Sequence, residues 1–204
     1  MRLFSYVVTR DYGFAPNPFY GVCTLATCKP NIRRTAVNGD WIVGTGTVQH
    51  MRQSHLVYAM HVDETMTYNE YWIDPRFQKK KPNIYGSLKQ AYGDNIYYFD
   101  KEDERWAQAD SHHSLEGGFP NQRNIEADTK TDRVLIGFKY TYFGGKGPKI
   151  PVKFHNWDNF DICKKGPGHK CNFPPDMISS FIDWVSTFEE DGYINAPIDW
   201  GVAP

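Results

Sequence analysis

Two histidines stand side by side in Gln108-Ala109-Asp110-Ser111-His112-His113-Ser114, with a carboxylate two residues before the first. Imidazole titrates near neutrality and a nearby carboxylate fixes its tautomer, so Asp110 with His112 or His113 makes a general acid–base pair. When protonated, the same rings grip phosphate. Neighbouring side chains of an extended chain point to opposite faces, so only one of the two histidines faces a given pocket. The plain structural reading is a polar loop with ordinary hydrogen-bonded histidines. Asp11 is a second carboxylate for the same catalytic set.

A different chemistry is carried by Arg10-Asp11-Tyr12-Gly13-Phe14-Ala15-Pro16-Asn17-Pro18 and by Gly39-Asp40-Trp41-Ile42-Val43-Gly44-Thr45-Gly46-Thr47. Aromatic faces stack on bases, and short polar side chains read base edges. Tyr12, Phe14 and Trp41 are therefore candidate stacking residues, with Asp11, Asn17 and Asp40 reading a polar edge. Arg10, Arg33 and Arg34 are candidate phosphate contacts. The competing readings are structural: the first segment as a buried Ω-loop, and Trp41, Tyr58 and Trp72 as core aromatics. Lys79, Lys80 and Lys81 read most simply as a solvated face. Gly144-Gly145-Lys146-Gly147-Pro148 lacks the spacing and the Ser/Thr of a phosphate-binding loop.

Cys23, Cys28, Cys163 and Cys171 are an even set, but four and seven intervening residues fit structural zinc poorly. Free thiols are expected, with no metal and no cofactor. The opening Met1-Arg2-Leu3-Phe4-Ser5-Tyr6-Val7-Val8-Thr9-Arg10 alternates too much for a signal peptide, which points to a cytoplasmic, reducing setting. No apolar run reaches the roughly 18 residues that a membrane span needs. With 204 residues, 40% hydrophobic and 16% aromatic, the chain has the material for one folded domain. Its formal net charge of −1 excludes a global positive field holding long nucleic acid, though not a local basic patch.

These residues need elements to place them. Leu3 to Thr9, Trp41 to Thr47 and His55 to Val62 read as strands, as does Arg133 to Phe143. Asn95 to Phe99 and Arg105 to Ala109 form a hairpin across an acidic turn. Lys29 to Ala36 is a short helix entered at Pro30. Thr67 to Trp72 is another, with Thr67 and Glu70 at capping-box spacing. Asp176 to Phe188 places Met177, Ile178, Phe181, Ile182, Val185 and Phe188 on one helical stripe. Phe77 to Asn95 reads as a long excursion and Ile194 to Pro204 as a loop-like tail. Strands dominate without regular strand–helix alternation, so an α+β fold around a compact curved or barrel-like mixed sheet is expected.

Turn, strand, turn, strand and aromatic helix over Gly39 to Pro75 is the order of PUA-like modules, and it resembles their EVE, YTH and ASCH branches. A longer resemblance runs from Leu3-Phe4-Ser5-Tyr6-Val7-Val8-Thr9-Arg10-Asp11-Tyr12-Gly13-Phe14-Ala15-Pro16-Asn17-Pro18 through Cys28-Lys29-Pro30 and Gly39-Asp40-Trp41. It continues through Tyr71-Trp72, Tyr92-Gly93-Asp94-Asn95, Gln108 to Ser114 and Phe143-Gly144-Gly145. Over residues 1 to 155 the chain resembles the nucleotide modification associated domain family, second type. That leaves 156 to 204 as a C-terminal extension of the same single domain. The resemblance implies bacterial or phage systems that make, remove or recognise modified bases. A nucleotide or nucleic acid is then the expected partner, with no membrane. Two functions follow: recognition of a modified base, or a transferase or hydrolase acting on one through an Asp/His pair.

Overall fold

The computed structural model describes residues 1–201. Its main sheet has six strands. In chain order these are β1 (Leu3–Val7), β3 (Trp41–Thr45), β4 (Leu56–His61), β9 (Tyr140–Tyr142), β10 (His169–Lys170) and β11 (Gly192–Tyr193). They lie in the order β10-β1-β3-β4-β9-β11. β1 and β3 run parallel, as do β9 and β11, and the other pairs are antiparallel. β10 and β11 end the sheet on different edges, so it stays open rather than closing into a barrel. A second sheet, in the order β2-β8-β5, joins β2 (Cys23–Leu25), β5 (Glu64–Met66) and β8 (Val134–Gly137). β6 (Tyr97–Asp100) and β7 (Arg105–Gln108) make a separate hairpin.

Period-two alternation stacks these sheets. Along β3, Ile42 enters one core cluster while Trp41 and Val43 enter another on the opposite face. The Trp41 face is covered by helix α5 (Pro175–Val185) through Met177, Ile178, Phe181 and Val185, all buried. Each such side chain contributes roughly 1.5–3 kcal/mol by leaving water. The Ile42 face packs on Cys23, Leu25 and Leu135 of the small sheet and on Ile32 of α1 (Pro30–Thr35). The far face of the small sheet, with Val134 and Ile136, builds a third cluster. That cluster also holds Phe14 and Tyr97, Tyr68 and Tyr71 of α2 (Tyr68–Ile73), and Ile125 of α4 (Gln122–Thr129).

Local chemistry fixes the connecting pieces. Thr67 and Glu70 form the reciprocal cap of α2. The excursion after Pro75 is partly helical, with a 3-10 segment Pro75–Lys80 and α3 (Leu88–Ala91). Lys80 turns inward: its ammonium is fully buried and donates to Asn17 O, Asn17 Oδ1 and Val22 O. Burial lowers its pKa to about 8. The C-terminal segment is part of the fold, since β10 pairs with β1 and α5 closes the core.

Candidate functional site

Three distant segments meet at the edge of the third cluster. The first is the exit from β2, where Cys28 and Lys29 adopt φ of 55° and 44°. Left-handed backbone costs roughly 1–2 kcal/mol for each side-chain-bearing residue, so the bend must be held from outside. The holder is Arg33 of α1, whose guanidinium is fully buried. It donates to Cys28 O at 2.8 Å, Thr131 O at 2.9 Å, Arg133 O at 2.8 Å and Asp128 O at 2.6 Å.

The second segment is the turn from Ser111 to Ser114, which presents His113. Its amide donates to Ser111 Oγ, and its carbonyl accepts from Asn124 Nδ2 at 2.9 Å. The third is α4, whose Asp128 is buried. Asp128 accepts from Cys28 N at 2.7 Å and from Tyr97 OH at 3.0 Å, and it lies 3.1 Å from His113 Nδ1.

A carboxylate only accepts, so the His113 hydrogen facing Asp128 sits on Nδ1. Nε2 is thereby directed at the thiol of Cys28, with a nitrogen–sulfur separation of 3.8 Å. Burial works against charge on His113. The hydrogen bond to Asp128 and then the contact with Cys28 outweigh it, pushing His113 up to about 9. His112 goes the other way, down to about 4, through desolvation of its ring against Tyr12, Phe14 and Tyr92, although the residue as a whole keeps solvent access, and then through the charges of His113 and Arg10.

An aromatic wall flanks this trio. Phe14 lies 4.6 Å from the His113 ring and 5.3 Å from His112, centroid to centroid. Tyr12 stacks on Tyr92 at 5.1 Å with an 8° interplanar angle, and both rings contact His112. Trp200 lies 6.3 Å from Tyr92 and donates through Nε1 to Tyr12 O, fixing the loop from behind. Tyr12 and Tyr92 remain half-buried and His112 is exposed, so the wall presents ring surface to solvent.

Tyr12, Phe14, His112 and His113 thus come together, with Arg10 near enough for its charge to act on His112. Other residues singled out by the sequence lie elsewhere or face inward. Asp110 is exposed beside Gly118. Asp11 is buried, accepting from Tyr142 OH and Ile198 N, and burial raises its pKa. Asn17 is buried between Gly13 O, Tyr92 O and the Lys80 ammonium. Asp40 pairs with Arg2 at 2.7 Å and caps the turn at Val37 N. Trp41 packs in the α5-side cluster and meets His61 edge-on. The guanidinium of Arg33 is committed to four carbonyls, and exposed Arg34 reaches Asn31. Cys28, Tyr92, Tyr97 and Asp128 are the members that sequence reasoning missed.

Two surface hollows of about 400 Å³ lie outside the trio. One is basic, lined by Lys79, Lys81, Lys89, Tyr20 and Gln90. Helix α3 carries Lys89 and Gln90 on this hollow and leads directly into Tyr92 of the aromatic wall. The other is lined by Lys153, Asn156, Trp157, Asp158 and Asp176. The four cysteines form no disulfide. Cys163 sits with His155 and Asp161, their donor atoms within 4.8 Å of one another, and burial followed by Asp161 pushes its thiol up to about 12. Among the described residues no helix is long and apolar enough to cross a membrane.

Fold and site together define a mixed α+β domain with an aromatic wall beside half-buried Cys28 and His113, which meet buried Asp128. The chain belongs to the nucleotide modification associated domain 2 family, whose model matches residues 1–204. A role related to nucleotide modification follows from that membership. No curated protein and no solved structure matches the chain.

Proposed function

We propose that the domain recognises a nucleotide or modified base at the wall formed by Tyr12, Tyr92, Phe14 and His112, and that His113 with Asp128 performs proton transfer on it. The observation that carries this reading is convergence: the half-buried rings of Tyr12 and Tyr92 meet His112, and buried Phe14 joins that ring to an imidazole held charged by a buried carboxylate. Flat rings supply a sequence-tolerant stacking surface, worth roughly 1–3 kcal/mol per base. The basic hollow reached through α3 offers lysines to the phosphate of the same ligand. An enzyme acting on the base is favoured over a pure reader, because stacking alone makes no use of a fixed His–Asp pair.

The test is calorimetric titration of the full chain with plain and modified nucleosides and mononucleotides. Tyr12→Ala and Tyr92→Ala should each weaken binding roughly five- to hundredfold while the protein stays folded. Binding that is absent from the wild type, or unchanged in both variants, removes the wall as a base site.

A further inference from the structure

The placement of Cys28 asks for more than a proton shuttle. Its sulfur faces His113 Nε2, and the opposite ring nitrogen is engaged by Asp128. Asp128 also accepts from the amide of Cys28, so one carboxylate fixes both the imidazole and the backbone that carries the thiol. Tyr97 OH donates to Asp128 and is itself approached by Gln108 Nε2 at 3.3 Å. The neighbouring Cys23 is different: it is buried in the core, and burial pushes its thiol well above the ordinary range.

We propose that Cys28 is a nucleophile and that Cys28, His113 and Asp128 form a triad for acyl transfer, acting on an amide or ester carbon of the ligand held at the aromatic wall. The identity of that ligand rests on the function proposed above, whereas the thiol chemistry does not. A base oriented by a third group, and itself facing the nucleophile, is the arrangement that activates a thiol. Proton delivery from the imidazolium matters most where the leaving group is a poor one, as with an amide nitrogen or ester oxygen.

The step balances without an oxidant. The thiol proton resides on His113 Nε2. The sulfur forms a bond to the carbonyl carbon as the carbonyl electron pair moves to oxygen. When that pair returns, the carbon–nitrogen or carbon–oxygen bond breaks and the leaving group takes the Nε2 proton. Water then gives its proton to the neutral imidazole and attacks the thioester. The carbon–sulfur bond breaks, sulfur leaves as the thiolate beside the reprotonated imidazole, which restores the starting pair, and the products are a carboxylic acid with an amine or alcohol.

The experiment treats the full chain with iodoacetamide at pH 6 and reads each cysteine by peptide mass spectrometry. Only thiolate reacts, so Cys28 should be alkylated at least about tenfold faster than half-buried Cys171 in the same tube. His113→Gln should remove at least about tenfold of that rate, with the gap narrowing above pH 9 as thiols ionise unaided. Equal rates for Cys28 and Cys171 in the wild type overturn the nucleophile, and that comparison needs no variant to fold. p-Nitrophenyl acetate tests the acyl step. An acetyl group on Cys28 in the wild type, lost in Cys28→Ser, supports it, and a reactive but unacetylated Cys28 overturns the acyl assignment. Neither probe needs the nucleotide, so a reactive Cys28 in a protein that binds no nucleoside sinks only the preceding proposal.

Discussion

Asp128→Asn changes one charge and almost no volume. In the wild type the carboxylate lies 3.1 Å from His113 Nδ1, 3.0 Å from Tyr97 OH and 2.7 Å from Cys28 N. Burial alone drives an imidazole below its ordinary value of roughly 6.5. His113 instead lies at about 9, because the bond to Asp128 and the contact with Cys28 exceed that burial. In the variant, Oδ1 still accepts from Cys28 N, and the new amide donor faces His113. Only a neutral ring with an accepting Nδ1 suits that partner. The midpoint should therefore fall to roughly 6.5 or lower, a difference of about 3 kcal/mol between the two protonation states.

Nitrogen-15 imidazole spectra across a pH titration read this directly. Stability reads it independently. A histidine whose folded value is raised contributes fully below its unfolded value near 6.5, and the contribution disappears as pH climbs through about 9. Between pH 6 and pH 10 the wild type should lose about 3 kcal/mol of unfolding free energy through this group, and Asp128→Asn should lose little of it. A wild-type His113 titrating near 6.5, or an unmoved midpoint in the variant, would refute the reasoning.

Two further substitutions separate scaffold from site. Arg33→Met deletes the donors that four carbonyls share and leaves buried Asp128 without that cation, so a stability loss of roughly 3–5 kcal/mol is expected by chemical denaturation, and a loss under about 1 kcal/mol contradicts the anchoring role. Trp41→Ala empties part of the α5-side core and should cost roughly 3–5 kcal/mol while leaving nucleoside affinity unchanged. A folded Trp41→Ala protein that has lost nucleoside binding would move the base site to β3.

Local patterns were legible wherever a short-range rule governs. The Thr67–Glu70 cap, the α5 stripe and the β6–β7 hairpin follow from spacing alone, and each element forms within a few residues of its expected bounds. α3 was hidden because Leu88–Ala91 is too short to show a periodic face. Sheet order was not legible, since β10 and β11 are two residues each and pair through backbone that carries no pattern. At the site, the residue types in the Tyr12–Phe14 and His112–His113 segments showed what chemistry to expect. The carboxylate did not follow from proximity in sequence. Asp110 is nearest along the chain yet exposed beside Gly118, whereas Asp128 reaches the His113 turn from helix α4. Arg33 shows the same failure in reverse: a cation in a polar run reads as a surface phosphate contact, but its planar fork matches a cage of backbone carbonyls.

The adjacent histidines clarify why one wall suits both holding and changing a ligand. They share Phe14, yet their surroundings drive them apart. Asp128 keeps His113 charged, while desolvation by the surrounding aromatic rings, that same charge and Arg10 keep His112 neutral. Neighbouring titratable groups pushed in opposite directions take different roles in acid–base chemistry. Near pH 7 a ring lying on Tyr12 meets an uncharged imidazole that both donates and accepts, with a proton source one residue further in. Were both histidines charged, His112 would repel any cationic modification and offer no acceptor. Were both neutral, no imidazolium would stand ready to protonate a leaving group. The split depends on Asp128 contacting His113 but not His112, and therefore on the turn that aims the two rings differently.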